Sequence, residues 1–365
     1  MEQDGSGDFS DIQDAVDVAA TGDTILIGPG NYNQLHEIQI PAWGVPTKVV
    51  VSVDVEGLVF IGAGRDQVIV GPDEFDPTDM SMMAGPMGFF GGYLAQAWSV
   101  EGITIHNMYF GIYTYGRLAL ISCRSQDLYG TGIITFASQG LISDNCIFQN
   151  NRDGGIGGIG PATGFSIVNS EFRNSQLYFQ NCQDISISQC SHFGDYSQAG
   201  MSGISFDYSS GTIRSCTGEG FGGSALGAMG HSNMQVLDCN FQSFGGGVVA
   251  TEESVVVVEN SIISGGQFST FSLYSGAQVT VNGSHIIRTN GNYVKCQHFT
   301  GAPMALDFAH NFWGTSDLDT IAAYIWDGND DPGLSVIIDY DPISEVPLPV
   351  EGQEKSFGGL KAMFR

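Results

Sequence analysis

The 365-residue chain carries 51 glycines, 42% hydrophobic residues and only 14% charged ones, a mixture too apolar for disorder and too rich in glycine for a helical protein. Its 39 acidic residues against 12 Lys and Arg give a formal charge of -27, which argues against nucleic acid and anionic membranes as partners. No run of about 20 apolar residues occurs, so no helical membrane insertion is expected.

Met1 and Glu2 run directly into an acidic segment rather than a signal peptide, which suggests a mature, exported form with its export signal removed. Residues 1–30 read as an N-terminal cap and first strand. Ile12, Ala15, Val16 and Ala19 follow helical spacing behind a Ser10 cap, and Thr24-Ile25-Leu26-Ile27 is the strand. Residues 31–315 read as repeated coils, interrupted at 71–98 by an insertion carrying Asp73, Asp76, Asp79 and a cluster of methionines.

Within the coils a phrase of alternating apolar residues, a small polar residue and then Phe or Ile keeps returning, as in Leu141 to Phe148, Phe165 to Phe172 and Met234 to Phe241. Aligning Cys123, Cys146, Ser170, Cys190, Cys216, Cys239, Ser261 and Ser284 gives steps of 23, 24, 20, 26, 23, 22 and 23 residues. A step in the low twenties fits one coil of a parallel β-helix, whose strands bury their apolar faces only by stacking. Parity leaves Cys190 and Cys216 one residue apart in register, and the step from Met108 to Cys123 is too short for a full coil. The runs 154–160, 218–223 and 245–247 read as glycine turns. The recurring cysteines read as stacked, reduced core thiols, since no local Cys pair suggests a disulfide or zinc site. Residues 316–345 form a closing segment with a helix near Asp317 to Trp326, and residues 346–365 form a tail.

At the start, Asp4-Gly5-Ser6-Gly7-Asp8-Phe9, Gly22-Asp23-Thr24-Ile25 and Pro29-Gly30-Asn31-Tyr32 resemble the entry motif of pectin-lyase-like β-helix proteins. At the end, Asn311-Phe312-Trp313-Gly314 and the acidic run from Asp327 to Asp331 resemble the closing segment of bacterial right-handed β-helix repeat proteins. The resemblance implies an all-β, right-handed parallel β-helix capped at both ends. Its members include polysaccharide lyases, hydrolases, esterases, epimerases and non-enzymatic adhesins, so fold alone does not select an activity.

Enzymes of this fold carry their chemistry on the outer face of neighbouring coils. By that offset Asp127, Arg152, Asp153, Arg173, His192 and Asp195 form a candidate acidic cleft with two arginines, suited to glycoside hydrolysis or to β-elimination from uronides. Arg152 is expected to favour the ionised form of Asp153. The acidic loops supply Asp73, Asp76, Asp79, Asp327, Asp330 and Asp331 as oxygen ligands, with calcium the expected cation. The seven histidines, His36, His106, His192, His231, His285, His298 and His310, show no metal spacing and read as surface or turn residues. Tyr113, Tyr115, Tyr129, Tyr178 and Tyr196 can stack on sugar rings. The expectation is an extracellular or cell-surface protein acting on or binding a polysaccharide or cell-surface glycan. The alternative is a non-catalytic structural or adhesive β-helix. Oligomeric state is left open.

Overall fold

A computed structural model describes residues 1–40, 43–74, 85–136, 140–194, 203–220, 222–265 and 267–349. It divides into two compact units, Met1–Ile185 and Ser186–Arg365. The expected architecture is present in each: short strands pair in parallel with their counterparts roughly one repeat away, and every coil contributes one strand to each of three sheets. Stacking at about 4.8 Å per rung pairs strand backbones from coil to coil and lines an apolar interior within each unit.

In the first unit the helix Ile12–Asp17 is capped by Asp11, whose side chain accepts from Gln13 N at 2.7 Å; Ser10, the expected cap, is displaced by the stronger acceptor. Coils then repeat as Arg117–Ile121, Arg124–Gln126 and Thr131–Phe136, followed by Leu141–Asp144, Ile147–Gln149 and Gly154–Ile159. The antiparallel pair His36–Gln39 and Pro46–Val53 lies at the edge of the third sheet. Met87–Gly91, expected inside an insertion, is a fully buried strand paired with both Val49–Val53 and Phe110–Thr114. Residues 75–84 of that segment, with Asp76 and Asp79, lie outside the described residues.

The second unit repeats the pattern, for example Asn233–Leu237, Asn240–Phe244 and Gly246–Ala250. It closes with the helix Leu318–Ala322, capped by Asp317, and the strand pair Met304–Asp307 and Val336–Asp339.

The corner between the first and second sheets explains the repeating Cys or Ser. One residue turns through the left-handed region, as at Asn145 (φ 54), Asn169 (φ 51), Asp238 (φ 57) and Asn260 (φ 49). The next side chain donates back to the carbonyl two residues earlier: Cys146 to Asp144 O and Cys239 to Leu237 O, Ser170 to Val168 O and Ser261 to Glu259 O. A thiol and a hydroxyl do the same work there, and serine also accepts the amide of the coil below, as Ser261 does from Cys239 N at 3.0 Å and Ser284 from Ser261 N at 3.1 Å. Buried Asn311 ends this relay by accepting Ser284 N at 2.8 Å while donating to Val281 O and Phe308 O. Cys190 and Cys216 are in register, since Ser191 pairs with Thr217. The equivalent of Cys123 one coil earlier is Ile103, not Met108, because Thr104 pairs with Arg124.

Two runs expected as glycine turns lie largely within strands. Gly154–Ile159 belongs to the third sheet, and a Cβ on Gly155 would lie 2.9 Å from the Phe172 ring and 3.0 Å from Phe148 Cβ. Those rings stack face to face at 4.9 Å, so the glycine is there to make room for them. Gly246–Ala250 is likewise a strand.

All seven cysteines are buried and free of disulfides. Burial pushes the Cys182 thiol up to about 11 and that of Cys296 up to about 12, which keeps both protonated and unreactive. Alkylation in denaturant without reductant is therefore expected to modify all seven cysteines. A native disulfide recovered by mass spectrometry between any two would refute the stacked-thiol reading.

Candidate functional site

The first-unit residues expected in the cleft occupy different parts of their coils. Asp127 sits on a corner in the left-handed region (φ 54), where its carboxylate accepts from Asn150 at 3.1 Å and Asn150 in turn accepts from Asn174 at 3.0 Å. It is one rung of a polar corner ladder. Arg173 lies on the second sheet, paired with Gln149, and its guanidinium is engaged by Glu171. Arg152 and Asp153 lie beyond the corner, at the entry to the third sheet. His192, in the second unit, points into the core opposite Gly218 and is fully buried, so it is not an outer-face residue. Asp195 and Tyr196 lie outside the described residues. His285 is a second buried histidine, its Nε2 2.8 Å from both the amide and the carbonyl of Leu348.

Asp153 also departs from expectation electrostatically. Although the side chain is solvent-accessible, desolvation raises its carboxyl above the usual range, and the Arg152 guanidinium offsets this only in part. That guanidinium is turned over the Tyr129 ring, 4.4 Å from its centroid.

Of the aspartates expected as metal ligands, the four described, Asp73, Asp327, Asp330 and Asp331, each accept hydrogen bonds within the fold. Asp73 accepts from the Asn31 side chain at 2.5 Å. Asp327 is buried and accepts the amides of Asn329 and Ile338, each at 2.8 Å, while Asp331 accepts that of Gly333 at 2.9 Å. Asp330 receives a longer bond, 3.4 Å, from Asp327 N. Among the described residues no group of three His, Cys, Asp or Glu gathers as a metal site.

Two outer surfaces of the third sheet remain. In the first unit Phe90, Tyr113 and Phe136 stack in sequence, with centroid separations of 6.0 and 5.0 Å, and Tyr93 stacks on Tyr115 at 4.1 Å. Trp43 packs edge-on against Tyr113, which is buried with its phenol pushed far above its ordinary value by desolvation. Tyr113 is thus a packing residue of this cluster, whereas Tyr93 is 71% exposed.

In the second unit the outward row of the third sheet runs Gly227, Val249, Ser272, Lys295 and Trp326 in successive register. Small side chains form a floor, and two neighbouring cavities of about 390 and 650 Å³ open over it, sharing Asn292, Lys295 and Gln297. Phe268 and Tyr274 wall the first; His298, Trp326 and Asp331 line the second. The His298 ring lies nearly parallel to Tyr274 at 6.5 Å. Both volumes fall in the range of ligand sites, and amides, hydroxyls, a cation and aromatic rings converge on them. Of these residues only Asp331 stood out in the sequence. The available signal was a lone lysine alternating with apolar residues in Val294–Gln297, which places it on the outward face.

Residues 159–305 match the family described as right handed beta helix region. No curated protein matches the chain. Similar solved structures include the A-module of an Azotobacter vinelandii mannuronan C-5 epimerase, 14% identical over 92% of this chain and 94% of that one, with a TM-score of 0.47. The DFA-IIIase of Arthrobacter chlorophenolicus is 11% identical over 88% and 83%, with a TM-score of 0.41. The catalytic unit of a Streptomyces thermodiastaticus alpha-1,3-glucanase is 12% identical over 93% and 66%, with a TM-score of 0.34. The parallel three-sheet coils described in each unit, with the segment that matches the right handed beta helix region, show that the fold is a right-handed parallel β-helix.

Proposed function

We propose that the protein binds a glycan in the groove of its second unit, over the outward row from Val249 to Trp326. The observation that carries this reading is the pair of adjoining cavities joined through Asn292, Lys295 and Gln297, with Tyr274 and Trp326 on either side. Aromatic faces take the apolar faces of sugar rings, and side-chain amides satisfy hydroxyls in both hydrogen-bonding directions. Trp326 is 43% exposed and Tyr274 half-buried, so both rings offer area to a ligand without being structural keystones.

A glycan array followed by titration of the hits tests the reading. Trp326→Ala and Tyr274→Ala should each weaken binding about tenfold, roughly 1.4 kcal/mol, with little change in melting temperature. Binding that survives both substitutions, or its complete absence across the array, would refute a saccharide site here.

A further inference from the structure

Resting on that reading, we propose that Lys295 makes the groove selective for a sparsely charged acidic glycan, in which one carboxylate- or sulfate-bearing sugar is flanked by neutral ones. The argument is a census of cations. In the second unit the described cations are Arg214, Arg288 and Lys295. Arg214 is held by Asp238 at 3.2 Å. Arg288 lies 3.3 Å above the Tyr324 ring and donates to Gly291 O at 3.1 Å. Lys295 is exposed like Arg214, but unlike it forms no ion pair among the described residues, and it is the one of the three that lines both cavities. Its register neighbours Ser272 and Trp326 are uncharged.

An ammonium on a flexible stem is a point charge that can meet one anionic group at short range. The rest of the groove is built from amides, hydroxyls and rings, with Asp331 the carboxylate on its wall. A polyanion would bring further charges to positions with no partner, into the field of a chain of formal charge -27. A wholly neutral glycan would offer Lys295 hydroxyl acceptors but no opposite charge. A single acidic sugar at Lys295 is the composition that uses the cation without meeting that repulsion.

The test uses three probes of matched length: neutral xylohexaose, xylohexaose bearing one glucuronic acid, and hexagalacturonate, each titrated into the full chain by calorimetry. The expected order is singly acidic tightest by at least fivefold over either of the others. Lys295→Met should erase that preference at unchanged melting temperature, and Lys295→Arg should keep it. Equal binding of neutral xylohexaose, tightest binding of hexagalacturonate, or a preference that persists in Lys295→Met would overturn the selectivity and leave the glycan reading standing. If no xylohexaose form binds and the array also yields no hit, the groove reading itself falls and this inference with it.

Discussion

Lowering the pH from 6.5 towards 3 is expected to cost the native protein on the order of 4 kcal/mol through His192 alone, and His192→Phe should abolish that loss. The imidazole is fully buried in the second unit, and desolvation depresses it from 6.5 to about 3. The unfolded chain therefore takes up a proton throughout that window while the folded chain does not. The stabilisation is complete above the unfolded value and disappears as pH falls through the folded one. Phenylalanine is the apt replacement because Phe148, Phe172 and Phe241 occupy equivalent inward positions in the second sheet. Urea unfolding of both proteins across the range checks it: the difference in stability should grow in favour of His192→Phe below pH 6.5, and a constant difference would show that the imidazole is not kept neutral.

The second large effect concerns Asp327. Replacing it with Ala should lower stability by about 2–4 kcal/mol, since the amides of Asn329 and Ile338 lose their acceptor in a buried site. Those bonds tie the loop after Ile325–Trp326 to the closing strand Val336–Asp339. The destabilisation should be the same in chelator and in millimolar calcium. A melting midpoint that climbs with calcium in the native protein, and no longer does so in Asp327→Ala, would instead restore the metal-ligand role expected from the sequence.

The coil period was legible because Cys123, Cys146 and Ser170 answer a backbone need that recurs in many coils, a donor for the carbonyl two residues back. Any residue supplying it recurs at the repeat length, which makes the fold visible in a single chain. The groove was not legible for the opposite reason. Ser272, Lys295 and Trp326 are neighbours only through register, and they share no residue type that a repeat could reveal. The offsets used to draw the cleft did not fix which face each described residue would take. Reading polar residues by their distance from the cysteine assumes equal strand lengths, but Asp127 falls on the turn, Arg173 falls on the strand and His192 alternates inward. The glycine runs misled because glycine serves both tight turns and strands crowded by aromatic rings, as Gly155 does beside Phe148 and Phe172.

Seven buried thiols spread over both units also give the molecule a built-in recorder of its own breathing. Cys123, Cys146 and Cys182 belong to the first unit, and Cys190, Cys216, Cys239 and Cys296 to the second. None can meet a reagent until its rung parts from the next. The rate at which each thiol is trapped under native conditions thus reports the opening free energy of its own coil. Read position by position, those rates would trace where unravelling starts and how far it travels before the chain recloses.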